Sequence, residues 1–240
     1  MLVAVASVKG APGVTRLAMT LTALWPRGIS ATLVEADAAG GTLAGRFGLA
    51  SSPSLTTLAA AMFPLAQDVR IGEHTQQLPS GLPVVVASAD PASVQATVAD
   101  LAATGGLLEQ VSSDPETVVI LDCGRLDVCR LSRAVSIADE VLLVVRPVPE
   151  EIGLLDEAIK SLQTAGSRVR LVLRGAGYTA GEMSRTLGVE VAGILPEAPE
   201  AGLLARSRQN AYARSVQRIA LCIGRARPSA APAAVSEAVA

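Results

Sequence analysis

The segment Lys9-Gly10-Ala11-Pro12-Gly13-Val14-Thr15 combines residue types and a spacing suited to holding phosphate. It follows a short apolar run and opens a stretch of helical spacing. In that context backbone N–H groups and a helix N-terminus face an anion. Gly10 and Gly13 remove the side chains that would obstruct close approach, and Thr15 places a hydroxyl where Mg²⁺ is ligated. Val14, just before that threonine, brings no charge. Two acids end other apolar runs: Asp37 in Glu35-Ala36-Asp37-Ala38-Ala39-Gly40-Gly41, and Asp122 in Val118-Val119-Ile120-Leu121-Asp122-Cys123-Gly124. A strand-end carboxylate taken alone caps the following turn. Beside a phosphate loop, at the carboxyl ends of parallel strands, it reads as a ligand of metal or water.

Other chemistries find little support. His74 is the only histidine, so a Ser-His-Asp or Cys-His system would have to form around it, and nothing near it suggests one. Cys123, Cys129 and Cys222 show no paired framework and no CxxC spacing, which fits a reducing, cytoplasmic setting rather than disulfides or zinc. A net charge of −2 gives no dense positive field for bulk nucleic-acid binding, and 2% aromatic content supplies few base-stacking platforms. No apolar run reaches the ~18 residues that cross a bilayer, and the first residues lack a basic, cleavable leader pattern. Lys9 and Lys160 are the only lysines among 20 basic residues, which makes the placement of Lys9 in the glycine-rich segment informative.

The elements that must position these residues read as alternating strands and helices. Apolar runs at Leu2–Ser7, Ala31–Val34, Pro83–Ala87, Thr117–Leu121, Glu140–Val145, Val169–Leu173 and Val189–Leu195 are continuous rather than alternating, as in strands buried on both faces. Helices are expected at Thr15–Leu24, with Leu17, Leu21 and Leu24 on one face and Pro26 closing it, at Ser93–Val111 with a break at Gly105-Gly106, and at Glu150–Ala165. This pattern predicts an α/β domain over residues 1–226: a mainly parallel, twisted sheet of about seven strands flanked by helices. Residues 227–240 lose periodicity and large apolar side chains and read as a flexible tail.

In order and spacing, residues 1 to 225 resemble the MinD/ParA type of P-loop ATPase. The glycine-rich segment resembles the deviant Walker A motif K-G-G-x-G-K-T, with Ala11 in place of a glycine, Pro12 at the variable position and Val14 where the family has its phosphate-contacting lysine. The resemblance implies a nucleotide site of Lys9, Gly10, Ala11, Pro12, Gly13, Val14, Thr15 and Arg16, in which Lys9 reaches across a dimer to the partner's nucleotide. It further implies that Thr15 and, through water, Asp122 hold Mg²⁺, that Asp37 helps position the attacking water, and that the Gly124 amide approaches a γ-phosphate. Gly193-Ile194-Leu195-Pro196-Glu197 resembles the turn beside the adenine. Leu173-Arg174-Gly175 stands where the family often has a base-reading asparagine. The implied cofactors are ATP or ADP and Mg²⁺, and the implied assembly is a homodimer or a heterodimer with a related ATPase.

Loss of the loop lysine should weaken affinity and chemistry together. Arg16 lies roughly 200° around the helix from Val14, although a long guanidinium can curl back. Three readings stand at this level: a weak ATPase, a nucleotide binder without turnover, and a fold that has lost its ligand. The leading expectation is a nucleotide-responsive partitioning or positioning protein. The alternative is a pseudo-ATPase scaffold of the CpaE/TadZ kind, which binds partners in pilus or secretion assembly. Gln209–Arg225 is a basic amphipathic helix, read as packed on the domain in preference to lying on a membrane. Arg206, Arg208, Arg214 and Arg218 read as a solvated face in preference to a DNA-phosphate contact.

Overall fold

The computed structural model describes residues 1–10, 13–26, 28–62, 69–114, 116–127, 132–196 and 210–225. In chain order these form β1 (Leu2–Ser7), α1 (Val14–Ala23), β2 (Ser30–Glu35), α2 (Leu43–Phe47), α3 (Leu55–Ala61), a 3-10 turn (Ile71–His74), β3 (Gln76–Gln77) and β4 (Pro83–Val85). They continue with α4 (Pro91–Leu101), α5 (Leu107–Ser113), β5 (Thr117–Arg125), α6 (Arg133–Ser136), β6 (Glu140–Val145), α7 (Pro149–Thr164), β7 (Val169–Arg174), α8 (Ala180–Leu187), β8 (Glu190–Leu195) and α9 (Ala211–Arg225). The tail at 227–240, Cys129, Glu197, Arg206, Arg208 and Gln209 lie outside the described residues.

The strands form a single sheet in the order β3-β4-β2-β5-β1-β6-β7-β8. Every pairing is parallel except that of β3 with β4. The continuous apolar runs have their cause in this arrangement, because helices cover both faces and every residue of β1 and β6 is buried. Successive residues of β1 serve opposite faces: Leu2, Ala4 and Ala6 join the core under α4, α5 and α7, while Val3 and Val5 join that under α1 and α9. Burying each large aliphatic side chain contributes roughly 1.5–3 kcal/mol.

Two expectations change. The sheet has eight strands because β3, two glutamines at an edge, pairs antiparallel with β4 and carries no apolar signal. The helix expected over Ser93–Val111 is two helices, and the break falls at the glycine pair: α4 ends at Leu101 and α5 begins at Leu107, with Gly106 so close to the Leu101 carbonyl that a side chain there would collide with it. At the start of α4, Asp90 accepts backbone hydrogen bonds from Ala92 (3.3 Å) and Ser93 (3.1 Å).

The apolar stripe of α9 is occupied. Tyr212, Ala213, Val216, Ile219, Ala220 and Ile223 are buried against β8 and α1, while Arg214 and Arg218 face solvent. Among the described residues no helix is long and apolar enough to cross a membrane. One irregularity bears on the site. Val5 pairs with Asp122 and Ser7 with Arg125, so β5 carries one residue more than β1 over that step, a bulge in the ladder.

Candidate functional site

β1, β2 and β5 are neighbours and parallel, so their carboxyl ends gather the glycine turn, Asp37 and Asp122 at one end of the sheet. β1 ends at Ser7, whose hydroxyl lies 3.3 Å from the Gly10 carbonyl and 3.5 Å from that of Gly124, tying the turn to β5. Gly13 precedes the first residue of α1 with φ +92°, a left-handed conformation that disfavours a side chain. The first turn of α1 contains no acid, so nothing in its own sequence offsets the partial positive charge of its N-terminus. Ala11 and Pro12 lie outside the described residues.

Thr15 and Asp122 meet beneath this turn. The Asp122 carboxylate accepts the Thr15 hydroxyl and, at 3.4 Å, the Gly124 amide. Its side chain is buried, and burial pushes its pKa up to about 6. The bonds from Thr15 and Gly124 oppose that rise, and the charges of Asp37 and Glu35 add to it. Asp37 packs on Gly124, at φ +56°: its carboxylate occupies the space that a β-carbon at Gly124 would fill. The same carboxylate accepts the Ala39 amide at 2.9 Å.

The first acid of the second segment does different work. Glu35 is buried and accepts the amides of Thr42 (2.5 Å) and Leu43 (2.9 Å) at the start of α2 and that of Ala87 (3.0 Å) after β4. It anchors the loop that carries Asp37.

These elements enclose a cavity of about 570 Å³ lined by Ser7, Gly10, Gly13–Arg16, Asp37, Arg46, Gly124 and Arg125. Three arginines therefore face a single carboxylate among the described lining residues, in a chain whose net charge is −2. The described lining is therefore positive in balance, the sign that attracts anions. Arg16 is also stacked, its guanidinium 4.9 Å from the centroid of the Tyr212 ring. Burial pushes the Tyr212 phenol up to about 12, against the charges of Arg16 and Arg174.

Of the residues singled out in the sequence, Gly10, Gly13, Val14, Thr15, Arg16, Asp37 and Gly124 line the cavity, and Asp122 lies under Thr15. Lys9 is exposed on the turn, outside the described lining. Pro196, half-buried after the edge strand β8, is likewise not among the described lining residues. Arg46 and Arg125 were not singled out by sequence reasoning. Arg125 directly follows Gly124 and was within reach of the motif, whereas Arg46, on the five-residue α2, carried no local signal.

A Mg²⁺ ion fits this donor set in part. Thr15 offers one hydroxyl and Asp122 one buried carboxylate, and among the described residues no group of three or more His, Cys, Asp or Glu is arranged to hold a metal. Mg²⁺ here would draw its remaining ligands from phosphate oxygens and water, as it does at sites built around a nucleotide.

A glycine turn between a central parallel strand and a helix, with an acid at the end of the adjacent strand, defines the P-loop NTPase class of fold. Within that class, solved structures that match include MinD and ParA proteins. The septum site-determining protein MinD from Pyrococcus horikoshii, complexed with Mg-ADP, superposes with a TM-score of 0.72 at 16% identity over 92% of this chain and 95% of its own. A ParA family ATPase from Chlorobium tepidum gives 0.71 at 16% identity over 92% and 97%. A chain of the MinC:MinD cell division protein complex of Aquifex aeolicus gives 0.69 at 18% identity over 95% and 97%. No protein-family model matches the chain, and no curated protein matches its sequence. The fold is that of the MinD/ParA P-loop ATPases.

Proposed function

We propose that this chain is a MinD/ParA-like, nucleotide-responsive partitioning or positioning protein, bridged into a dimer by ATP, with weak or no hydrolysis. The observation that carries the reading is the hydrogen bond from half-buried Thr15 to buried Asp122 beneath a glycine turn, beside a cavity lined by Thr15 and three arginines. The N-terminus of α1 and the turn amides bind the phosphates, and Thr15 and Asp122 hold Mg²⁺, whose role when bound is to neutralise phosphate charge. Asp37, set against Gly124, orients the attacking water, and exposed Lys9 reaches the nucleotide of a second subunit, a copy of this chain or a related ATPase. The site is cytoplasmic and the dimer recruits its partner to a cellular location. Val14 offers no charge to the transferring phosphoryl group, so turnover is slow. Calorimetry of ATP and ADP with Mg²⁺ tests this: micromolar, Mg²⁺-dependent binding is expected, and no binding at millimolar nucleotide would overturn it. Lys9→Ala should abolish nucleotide-dependent dimerisation in size-exclusion measurements.

A second reading, a pseudo-ATPase scaffold of the CpaE/TadZ kind, is favoured by one observation. Val14 is only 4% exposed and belongs to the same apolar cluster as Val5 and Leu17, so its position is built into the core. Val14→Lys separates the two: a weakened site gains affinity and turnover, whereas a remodelled scaffold loses stability and gains neither.

A further inference from the structure

The glycine turn lacks a lysine at position 14, yet a guanidinium reaches the turn from elsewhere in the fold. Arg174 ends β7, two strands from β1, and the parallel sheet brings its end to the side of the molecule that holds the turn. A β-carbon placed on Gly13 would stand 2.5 Å from Arg174 Nη1, so the guanidinium lies directly on Gly13. Arg16 approaches the same neighbourhood from α1, braced on Tyr212 of α9, and the charges of both arginines act on the Tyr212 phenol. The cavity next to them has the matching sign, with Arg16, Arg46 and Arg125 facing only Asp37 among its described lining.

We propose that Arg174, with Arg16 beside it, supplies the cationic contact to a triphosphate chain on the Gly13 turn, in place of a lysine within the turn itself. The assignment rests on the nucleotide reading above and names the residue that makes phosphate binding work despite Val14. Arginine suits the task because its planar fork grips two phosphate oxygens at once, and because it stays charged in a partly desolvated site. It also gives Gly13 a reason beyond backbone conformation, since any side chain there would displace the guanidinium.

The test is calorimetry of Mg-ATP and of inorganic tripolyphosphate with Mg²⁺, on the full chain and on Arg174→Ala, Arg174→Lys and Arg174→Gln. The expected result is a loss of roughly ten- to hundredfold for Arg174→Ala with both ligands, the scale of a hydrogen bond to a charged group. Arg174→Lys should recover part of that loss and Arg174→Gln none of it, a split that a merely structural role for the side chain would not produce. Should Arg174→Ala fail to fold, the Lys and Gln variants carry the comparison. Folded Arg174→Ala that binds both ligands within twofold of the unaltered protein overturns the assignment and leaves the nucleotide reading intact. A loss for ATP alone also overturns it, because the residue would then read the base rather than the phosphates. If the unaltered protein binds neither ligand, this assignment and the nucleotide reading fall together.

Discussion

At the carboxyl ends of β1, β2 and β5, three arginines share a cavity with one carboxylate among its described lining residues, whereas at the amino ends of β6, β7 and β8 Arg170 is paired with two. There Arg170 places Nη1 3.2 Å from Glu140 Oε1 and Nε 2.8 Å from Glu190 Oε2, with its side chain only 8% exposed. Nη1 and the Glu140 oxygen form an ion pair without a hydrogen bond between them. Burial pushes Glu140 up to about 7, against the attraction of Arg170 and Arg168. Arg170 closed by carboxylates ties strand ends together, while the arginines along the cavity give its described lining a positive balance.

The sharpest way to break this comparison is at the closed end. Arg170→Ala leaves Glu140 buried without its partner, and should cost roughly 3 kcal/mol of stability by urea denaturation while leaving Mg-ATP affinity unchanged. Loss of nucleotide binding without loss of stability would erase the distinction between the two ends.

Titration separates them next. Asp122 and Glu140 both have folded-state values, about 6 and about 7, above their ordinary 3.8 and 4.5. Between those limits the folded state retains protons that the unfolded state has released. Stability therefore falls as pH rises from about 4 to about 7, by an amount on the order of 2 kcal/mol or more. Asp122→Asn and Glu140→Gln should each flatten part of that slope in thermal unfolding followed across pH. Only Asp122→Asn should also remove Mg²⁺-dependent nucleotide binding, which in the unaltered protein should strengthen as pH rises through about 6.

Gly13→Ala combines a left-handed backbone with a collision against Arg174. A loss of about 1–2 kcal/mol is expected from the backbone alone, together with weakened binding of inorganic tripolyphosphate. At the small end, Lys160→Ala removes an exposed pair with Asp156 one turn away on α7 and should leave the thermal midpoint within error.

How much of this was legible in the sequence follows from which signals are local. Strands buried on both faces announce themselves as apolar runs, and β1 and β6 have the bounds read from sequence. β3 is invisible because two polar residues at an edge carry no period. The glycine turn, Asp37 and Asp122 stood out because each ends an apolar run. Arg46 did not, and Arg174 did so only as a departure from a base-reading asparagine, since the proximity of both to the turn depends on strand order and on the direction of long side chains. The Glu140–Arg170–Glu190 group is hidden for the same reason: its members lie on three strands and meet only once the register is set.

The extra residue in β5 sets what the site tolerates in the course of sequence change. Asp122 sits on a rung opposite Val5, and Gly124 lies past it, within the step where the two strands fall out of count. Cys123, between them, turns its buried thiol into the core, 3.8 Å from the Leu121 carbonyl. Exchanging Cys123 for another small apolar residue leaves the spacing of acid and glycine intact. Deleting it restores equal counts, carries Gly124 off the Asp37 carboxylate and dismantles the junction. At this point in the chain, the junction depends on a number of residues rather than on the identity of one.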